Sequence, residues 1–247
     1  MTSTTSTSGS ALRRLAKRCA ELVADVLVLP LVLGVRLSRR LAGARFEEAF
    51  QGYSQRASRW PGMRGNYLRT AFYHATLTRC PRSCRIEFGT VFATPLVELG
   101  ESVYIGAYGN IGHVTIGDDT LIGSGVTILS GKRQHHFDRV DVPIRLQGGT
   151  YTRVHVGADA WIGNGAIVMD DVETQAIVAA GAVVTKPVPA RAIVGGNPAK
   201  VIARRGGVPN DALANGGVAR GDLVEGGAST DALMNADEVA HRAGVVR

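Results

Sequence analysis

From Ile86 to Val184 an aliphatic residue, usually followed by glycine, returns every five or six positions. Leu99-Gly100, Ile105-Gly106, Ile111-Gly112, Ile116-Gly117 and Ile122-Gly123 stand 6, 6, 5 and 6 residues apart, and Ile128 follows six later. A second series reads Val156-Gly157, Ile162-Gly163 and Val168, and a third reads Val178 and Val184. Two positions before most of these stands another small or apolar residue: Val97, Val103, Val114, Val126, Val154, Ala160, Ala166, Ala176 and Ala182. This is neither the 3.6-residue period of a helix nor the plain alternation of a strand. Each hexad reads as a short strand plus a tight turn. The aliphatic residue points into a narrow prism, and glycine stands where backbones crowd or φ turns positive. Three hexads make one triangular coil, and stacked coils align equivalent residues in ladders. The predicted fold is therefore an all-β core of stacked coils.

Two stretches break the period. Between Ile128 and Val154 the repeat stops, which predicts a loop insertion over 129–153. Between Val168 and Val178 there are ten residues where two hexads would give twelve, and Glu173-Thr174-Gln175 replaces the usual pair, so an irregular turn is expected there.

Outside the repeat the expected organisation is a disordered N-terminus over 1–11 and a helical, basic and apolar segment over 12–84. The coiled domain spans 85–204. A Gly/Ala/Asp-rich tail over 205–247 is expected to be disordered, with Asp231–His241 able to form a short helix. The apolar run Val26–Val35 is broken by Pro30 and is ten residues long. A membrane-spanning helix needs about 20. Arg36-Leu37-Ser38-Arg39-Arg40 follows the run where a secretory cleavage site would lie. Two readings stay open: a helix packed on its own protein or a sister subunit, and an interfacial anchor whose arginines meet anionic headgroups.

Composition agrees with a coil. The 247 residues include 31 Gly but only 6 Phe, 6 Tyr and 2 Trp, with 45% apolar residues. That is too apolar for a disordered chain, and no Gly-X-Y period marks collagen. The net charge of +7 is uneven. Residues 1–45 carry Arg13, Arg14, Lys17, Arg18, Arg36, Arg39, Arg40 and Arg45 against Glu21 and Asp25, whereas the tail is acidic. A basic end favours an anionic partner. No nucleic-acid motif or aromatic stacking platform is present, so a membrane surface met through residues 12–45 is favoured over nucleic acid. Cys19, Cys80 and Cys84 make no disulfide framework and no paired zinc motif, as expected of reduced thiols in a cytoplasmic protein. The anchor reading would place that protein peripherally at the inner face of the membrane.

The hexads resemble those of the hexapeptide-repeat acyltransferases, whose fold is a left-handed parallel β-helix. Three stretches sharpen the likeness. Trp161-Ile162-Gly163-Asn164-Gly165-Ala166-Ile167-Val168 is similar to the family's WIGxGAIV coil. Ala180-Gly181-Ala182-Val183-Val184-Thr185-Lys186-Pro187-Val188-Pro189 is similar to its AGAVVTKDVP exit. Gly196-Asn197-Pro198-Ala199-Lys200-Val201-Ile202 matches its GNPAKVI signature. Pro61–Arg69 with Phe72-Tyr73 resembles the helical lead-in of polysaccharide O-acetyltransferases. The resemblance covers roughly residues 60–204 and points to the maltose, nodulation-factor and capsule type. It implies acetyl-CoA as co-substrate, no metal, a sugar or glycoconjugate acceptor in polysaccharide biosynthesis, and a homotrimer with sites between subunits.

Candidate chemistry centres on the insertion. An alcohol attacks a thioester at neutral pH only if a base takes its proton, and imidazole suits that task. His135 and His136 stand side by side. The family's catalytic histidine opens an H-x-x-D pattern, which His135 with Asp138 satisfies. His136, Tyr108, Asn110 and His113 are candidates for the acceptor side. On the donor side the resemblance places the pantetheine near Gly163, Ala180 and Ala182, the phosphates on Lys186, Lys200 and Arg204, and Trp161 against the cofactor or a neighbouring subunit. Two other classes remain as alternatives: a γ-carbonic-anhydrase-like zinc lyase using His113, His135 or His136, and His155, and a non-catalytic membrane-associated scaffold of glycan assembly.

Overall fold

A computed structural model describes residues 6–206, with side chains from residue 15 onward. Residues 1–5 and the tail from 207, with the expected helix Asp231–His241, lie outside the described residues. The hexads wind as a three-sided coil. The first turn lays down β1 (Arg85–Ile86), β2 (Val91–Phe92) and β3 (Glu98–Leu99). The second holds β4 (Tyr104–Ile105), β5 (Asn110–Ile111) and β6 (Val114–Ile116). The third holds β7 (Leu121–Ile122), β8 (Thr127–Ile128) and, beyond the insertion, β9 (Val154–Val156). Next come β10 (Trp161–Ile162) and β11 (Ile167–Val168), then β12 (Ile177–Val178) and β13 (Val183–Val184), and finally β14 (Ala192–Gly195) and β15 (Lys200–Arg204). Parallel pairing joins equivalent strands into three faces: β1-β4-β7-β10-β12-β14, β2-β5-β8-β11-β13, and β3-β6-β9.

The register stacks like on like. Ile105, Ile122, Ile162, Val178 and Val194 form one continuous inward ladder. The smaller members of the repeat, from Val97 to Ala182, are all at most 2% exposed, as the alternation predicts. The stretch between Val168 and Val178 is more regular than expected. Val172 points inward and bridges in parallel to Val156 and to Val188, so a single residue carries the third face forward. Gln175 turns the following corner at φ 62°, as Asp119 and Asp159 do at 58° and 51°. The coil has shortened one side and kept its shape.

Glycine meets two separate demands. A Cβ on Gly163 would sit 2.5 Å from the Ala180 backbone nitrogen of the next coil, so its absence lets the coils stack. Gly165 has open space around it but turns its corner at φ 67°, which L side chains resist.

Three helices precede the coil: α1 (Ser6–Leu41), α2 (Phe46–Ser58) and α3 (Gly62–Thr76). α1 starts within the stretch expected to be unstructured, because a helix nucleated by its apolar centre extends at little cost per residue. It also runs on through Pro30. The i−4 carbonyl left without a donor is that of Val26, on an exposed side where water can serve it. No helix among the described residues is long and apolar enough to cross a membrane.

α2 and α3 plug the open end of the prism, where their aromatics meet Phe92 of the first coil. Phe50, Phe72, Tyr73 and Phe92 are fully buried, and Tyr73 meets Phe72 and Phe92 edge-on. The Tyr73 hydroxyl lies 3.0 Å from Ser54 Oγ and donates to the Thr90 carbonyl, while Phe92 N–H donates to Ser54 Oγ. Arg69 is also fully buried. Its Nε donates to the Ile86 carbonyl at 2.7 Å and its Nη1 to the Trp60 carbonyl, with Glu87 3.8 Å from Nη2. Burial pulls the guanidinium below its usual pKa, and Glu87 opposes that shift. Arg69 thus ties helix α3 to the first strand through backbone acceptors.

At the far end β15 reverses and pairs antiparallel with β14. The Gly196 carbonyl accepts from Val183 N–H, and Ala199 N–H donates to the Val183 carbonyl. All three cysteines are free, with Cys80 and Cys84 buried.

Ile122 is 0% exposed at the centre of the inward ladder. Ile122→Ala is expected to lower stability by about 2–5 kcal/mol through lost contacts and a residual cavity. Chemical denaturation followed by circular dichroism measures this.

Candidate active site

The insertion is an ordered excursion between β8 and β9. Its two limbs pair: Thr152 N–H donates to the Ser130 carbonyl, Thr150 N–H to Arg133, and His136 N–H to Gly148. Gln147 closes the tip by donating from Nε2 to the carbonyls of Arg139 and Val142, each at 2.7 Å. Lys132 Nζ reaches Asp170 at 2.6 Å and fastens the loop to the coil beyond. On this frame His135, His136 and Asp138 are exposed. His136 Nε2 lies 3.1 Å from Thr150 Oγ1. No hydrogen bond joins Asp138 to either histidine among the described residues. The loop also presents Phe137, Val140, Ile144, Leu146 and Tyr151 to solvent, an apolar tip uncovered in the single chain.

Below the loop root, His113 N–H donates to Ser130 Oγ at 2.9 Å. The His113 ring is held by Arg153, whose Nε donates to His113 Nε2 at 2.9 Å. Arg153 also reaches Glu98 Oε1 at 2.5 Å, Thr115 Oγ1 and the Leu96 carbonyl. Burial, then the Arg153 charge, push the His113 pKa down, so the ring is neutral and carries its proton on Nδ1. Glu98 is in register with Thr115, and Thr115 with His155, so the outward side of the third face is polar. His155 is exposed there, as its alternation with Val154 and Val156 predicts.

Tyr108 and Asn110 occupy the corner and strand leading into the second face. Tyr108 has φ 59°, whereas the equivalent corners at Gly89, Gly125, Gly165 and Gly181 are all glycine. A tyrosine held in this region is strained, and such residues cluster where a protein positions a ligand. Its ring packs edge-on to Phe88 and is 67% exposed. Asn110 points outward on β5, in register with Thr127 on the strand from which the loop departs.

The donor-side residues divide. Trp161 faces outward on the first face, 54% exposed, between Leu121 and Ile177 in a row that Tyr104 and Ile193 extend. Gly163 stands over exposed Ala180 at the next corner. Lys200 pairs with Gly195 at one end of β15, while Arg204 pairs with Ala192 at the other. Lys186 is exposed beyond β13, toward the third side. Ala182 is 0% exposed, because its place in the alternation turns its side chain into the prism.

Within one chain the histidine loop roots at the edge between second and third faces. The Trp161–Gly163–Ala180 row lies on the first face and its corner to the second. The width of the second face separates them. Sequence reading missed Arg153 and the Lys132–Asp170 brace, since both depend on partners 38 or more positions away. No group of three or more His, Cys, Asp or Glu gathers to hold a metal ion among the described residues.

No family model matches the chain. The galactoside O-acetyltransferase of Escherichia coli (strain K12) is 27% identical over 183 residues, spanning 65% of this chain and 85% of that protein. A hexapeptide-repeat-containing acetyltransferase from Vibrio cholerae has a similar structure, with TM-score 0.54 and 22% identity, over 64% of this chain and 92% of that one. A galactoside acetyltransferase solved in complex with coenzyme A is similar at TM-score 0.50 and 22% identity, over 73% of this chain and 85% of that one. The shared fold bears out the hexapeptide-repeat resemblance.

Because the folded pKa of His113 lies below its unfolded value of about 6.5, the unfolded chain binds the proton first as pH falls. Stability from this site is present at neutral pH and is lost with acidification. Between about pH 7.5 and 5.5, the fall in Tm is expected to be smaller in His113→Gln than in the parent, as read by calorimetry.

Proposed function

From a chain with the hexapeptide-repeat acyltransferase fold, we propose an acetyl-CoA-dependent O-acetyltransferase acting on a hydroxyl of a sugar or glycoconjugate. The observation that carries this reading is the braced loop 129–153, which holds adjacent His135 and His136 exposed beside a rigid coil. The likeness to a galactoside O-acetyltransferase, and to a structure binding coenzyme A, supports the donor and the acceptor class. The coil is taken as left-handed, as the resemblance implies.

In this scheme His135 accepts the acceptor's hydroxyl proton. The oxygen forms a bond to the thioester carbonyl carbon, and backbone N–H groups hold the oxyanion. Collapse breaks the carbon–sulfur bond, and the imidazolium returns its proton to the departing thiolate. Asp138 and His136 orient the base and the acceptor. Tyr108 and Asn110 face the sugar, while Lys186, Lys200 and Arg204 meet the phosphates of the donor through charge-assisted hydrogen bonds.

A homotrimer completes the site. Three features support it: the apolar outward row Tyr104–Leu121–Trp161–Ile177, the apolar loop tip, and the separation of the loop from the donor row within one chain. A neighbouring chain brings the two together and covers both apolar surfaces.

His135→Ala is expected to lower kcat about 10²–10⁴-fold with the oligomer intact. Thiol release with acetyl-CoA and a sugar panel measures this. A retained rate together with an inactive His136→Ala moves the role next door, and two active variants overturn the mechanism. Lys200→Ala is expected to raise KM for acetyl-CoA about tenfold with little change in kcat, as steady-state kinetics would show.

A further inference from the structure

Helix α1 is apolar on two opposite sides, and only one of them is covered. Ala24, Val28, Val32 and Val35 are at most 5% exposed and join the core. Leu22, Val26, Leu29, Leu33 and Leu37 recur in steps of four and three on the other side. They are 48–70% exposed, as are Leu15, Val23 and Leu27. A surface helix ordinarily turns charge to water on that side. Here the only charges between residues 19 and 35 are Glu21 and Asp25. Both are half-buried, and Asp25 is paired with Arg82 at 2.7 Å. The cations stand at the ends instead: Lys17 and Arg18 before the stripe, Arg36, Arg39 and Arg40 after it, all exposed.

This distribution selects the occupant. A second copy of α1, laid parallel or antiparallel, would bring a basic end onto a basic end. A nucleic acid would satisfy the cations and leave the leucines in water. An anionic bilayer surface satisfies both, with aliphatic side chains below the headgroups and arginines among the phosphates. The helix is not apolar enough to span, so it would lie in the interface. We propose that the outward face of α1, from Leu15 to Leu41, docks this protein on anionic lipid surfaces. The inference is independent of the acetyl-transfer reading and is tested without donor or acceptor.

The test is co-sedimentation of the full chain with vesicles of phosphatidylcholine alone and mixed with phosphatidylglycerol. Binding is expected only to the mixed vesicles, weakening as salt is raised. The double variant Val26→Ser/Leu33→Ser should abolish it while helix content and oligomer size stay at parental values, since both side chains are already exposed. Arg36→Gln/Arg40→Gln should weaken it by about fivefold per residue removed. Equal binding of parent and Ser variant, or no binding to either vesicle, overturns the proposal. Dissociation of the oligomer by the Ser variant, without any vesicle binding by the parent, also overturns it and assigns the face to a second copy.

Discussion

Everything in this fold depends on backbone meeting backbone between successive coils. Each strand of two or three residues gives its N–H and C=O groups to the coil before and the coil after, so no coil is satisfied alone. That demand fixes the spacing between coils, which forbids a side chain at Gly163 over Ala180. It also keeps the prism narrow. Isoleucine, valine and alanine line most of it, and the buried aromatics gather at the helical end, where Tyr73 of α3 meets Phe92 of the first coil. A prism lined by the inward aliphatic ladder leaves its outward residues and its one long insertion to carry chemistry.

The faces are not alike. The first shows an apolar row centred on Leu121 and Trp161, and the third shows Glu98, Thr115 and His155 with Arg153 laid across them. The second leads from Asn110 to the histidine loop. A uniform repeat has thus acquired three surfaces of different chemistry by changing only outward residues, which the stacking leaves free. The cost appears locally, as at Tyr108, where a corner otherwise given to glycine holds a strained aromatic.

How much of this was legible in the sequence follows from the range of each interaction. The hexads are local, and their inward ladder was readable to the residue. The third side shortened at Val172 was not, because a single inward valine substitutes for a hexad only when a neighbouring coil supplies the register. Arg153 on His113 and Lys132 on Asp170 join residues 40 and 38 positions apart, and nothing in the local pattern marks them. Ala182 was legible too, since the alternation of its stretch already turned its side chain into the core. Helix α1 continues through Pro30 because packing of Val28 and Val32 outweighs the proline's intrinsic propensity.

The reversal at β15 has a consequence for solubility. A coil that simply stopped would leave three rows of unpaired backbone groups, a template for another chain to extend. Here each row is blunted differently. Antiparallel β15 occupies the edge of β14, the Gly196–Ala199 turn takes both groups of Val183, and Val188 ends the third side between Pro187 and Pro189, which have no N–H to offer. Helices do the same at the opposite end. Among the described residues, both poles of the coil are thus capped against end-to-end addition of strands.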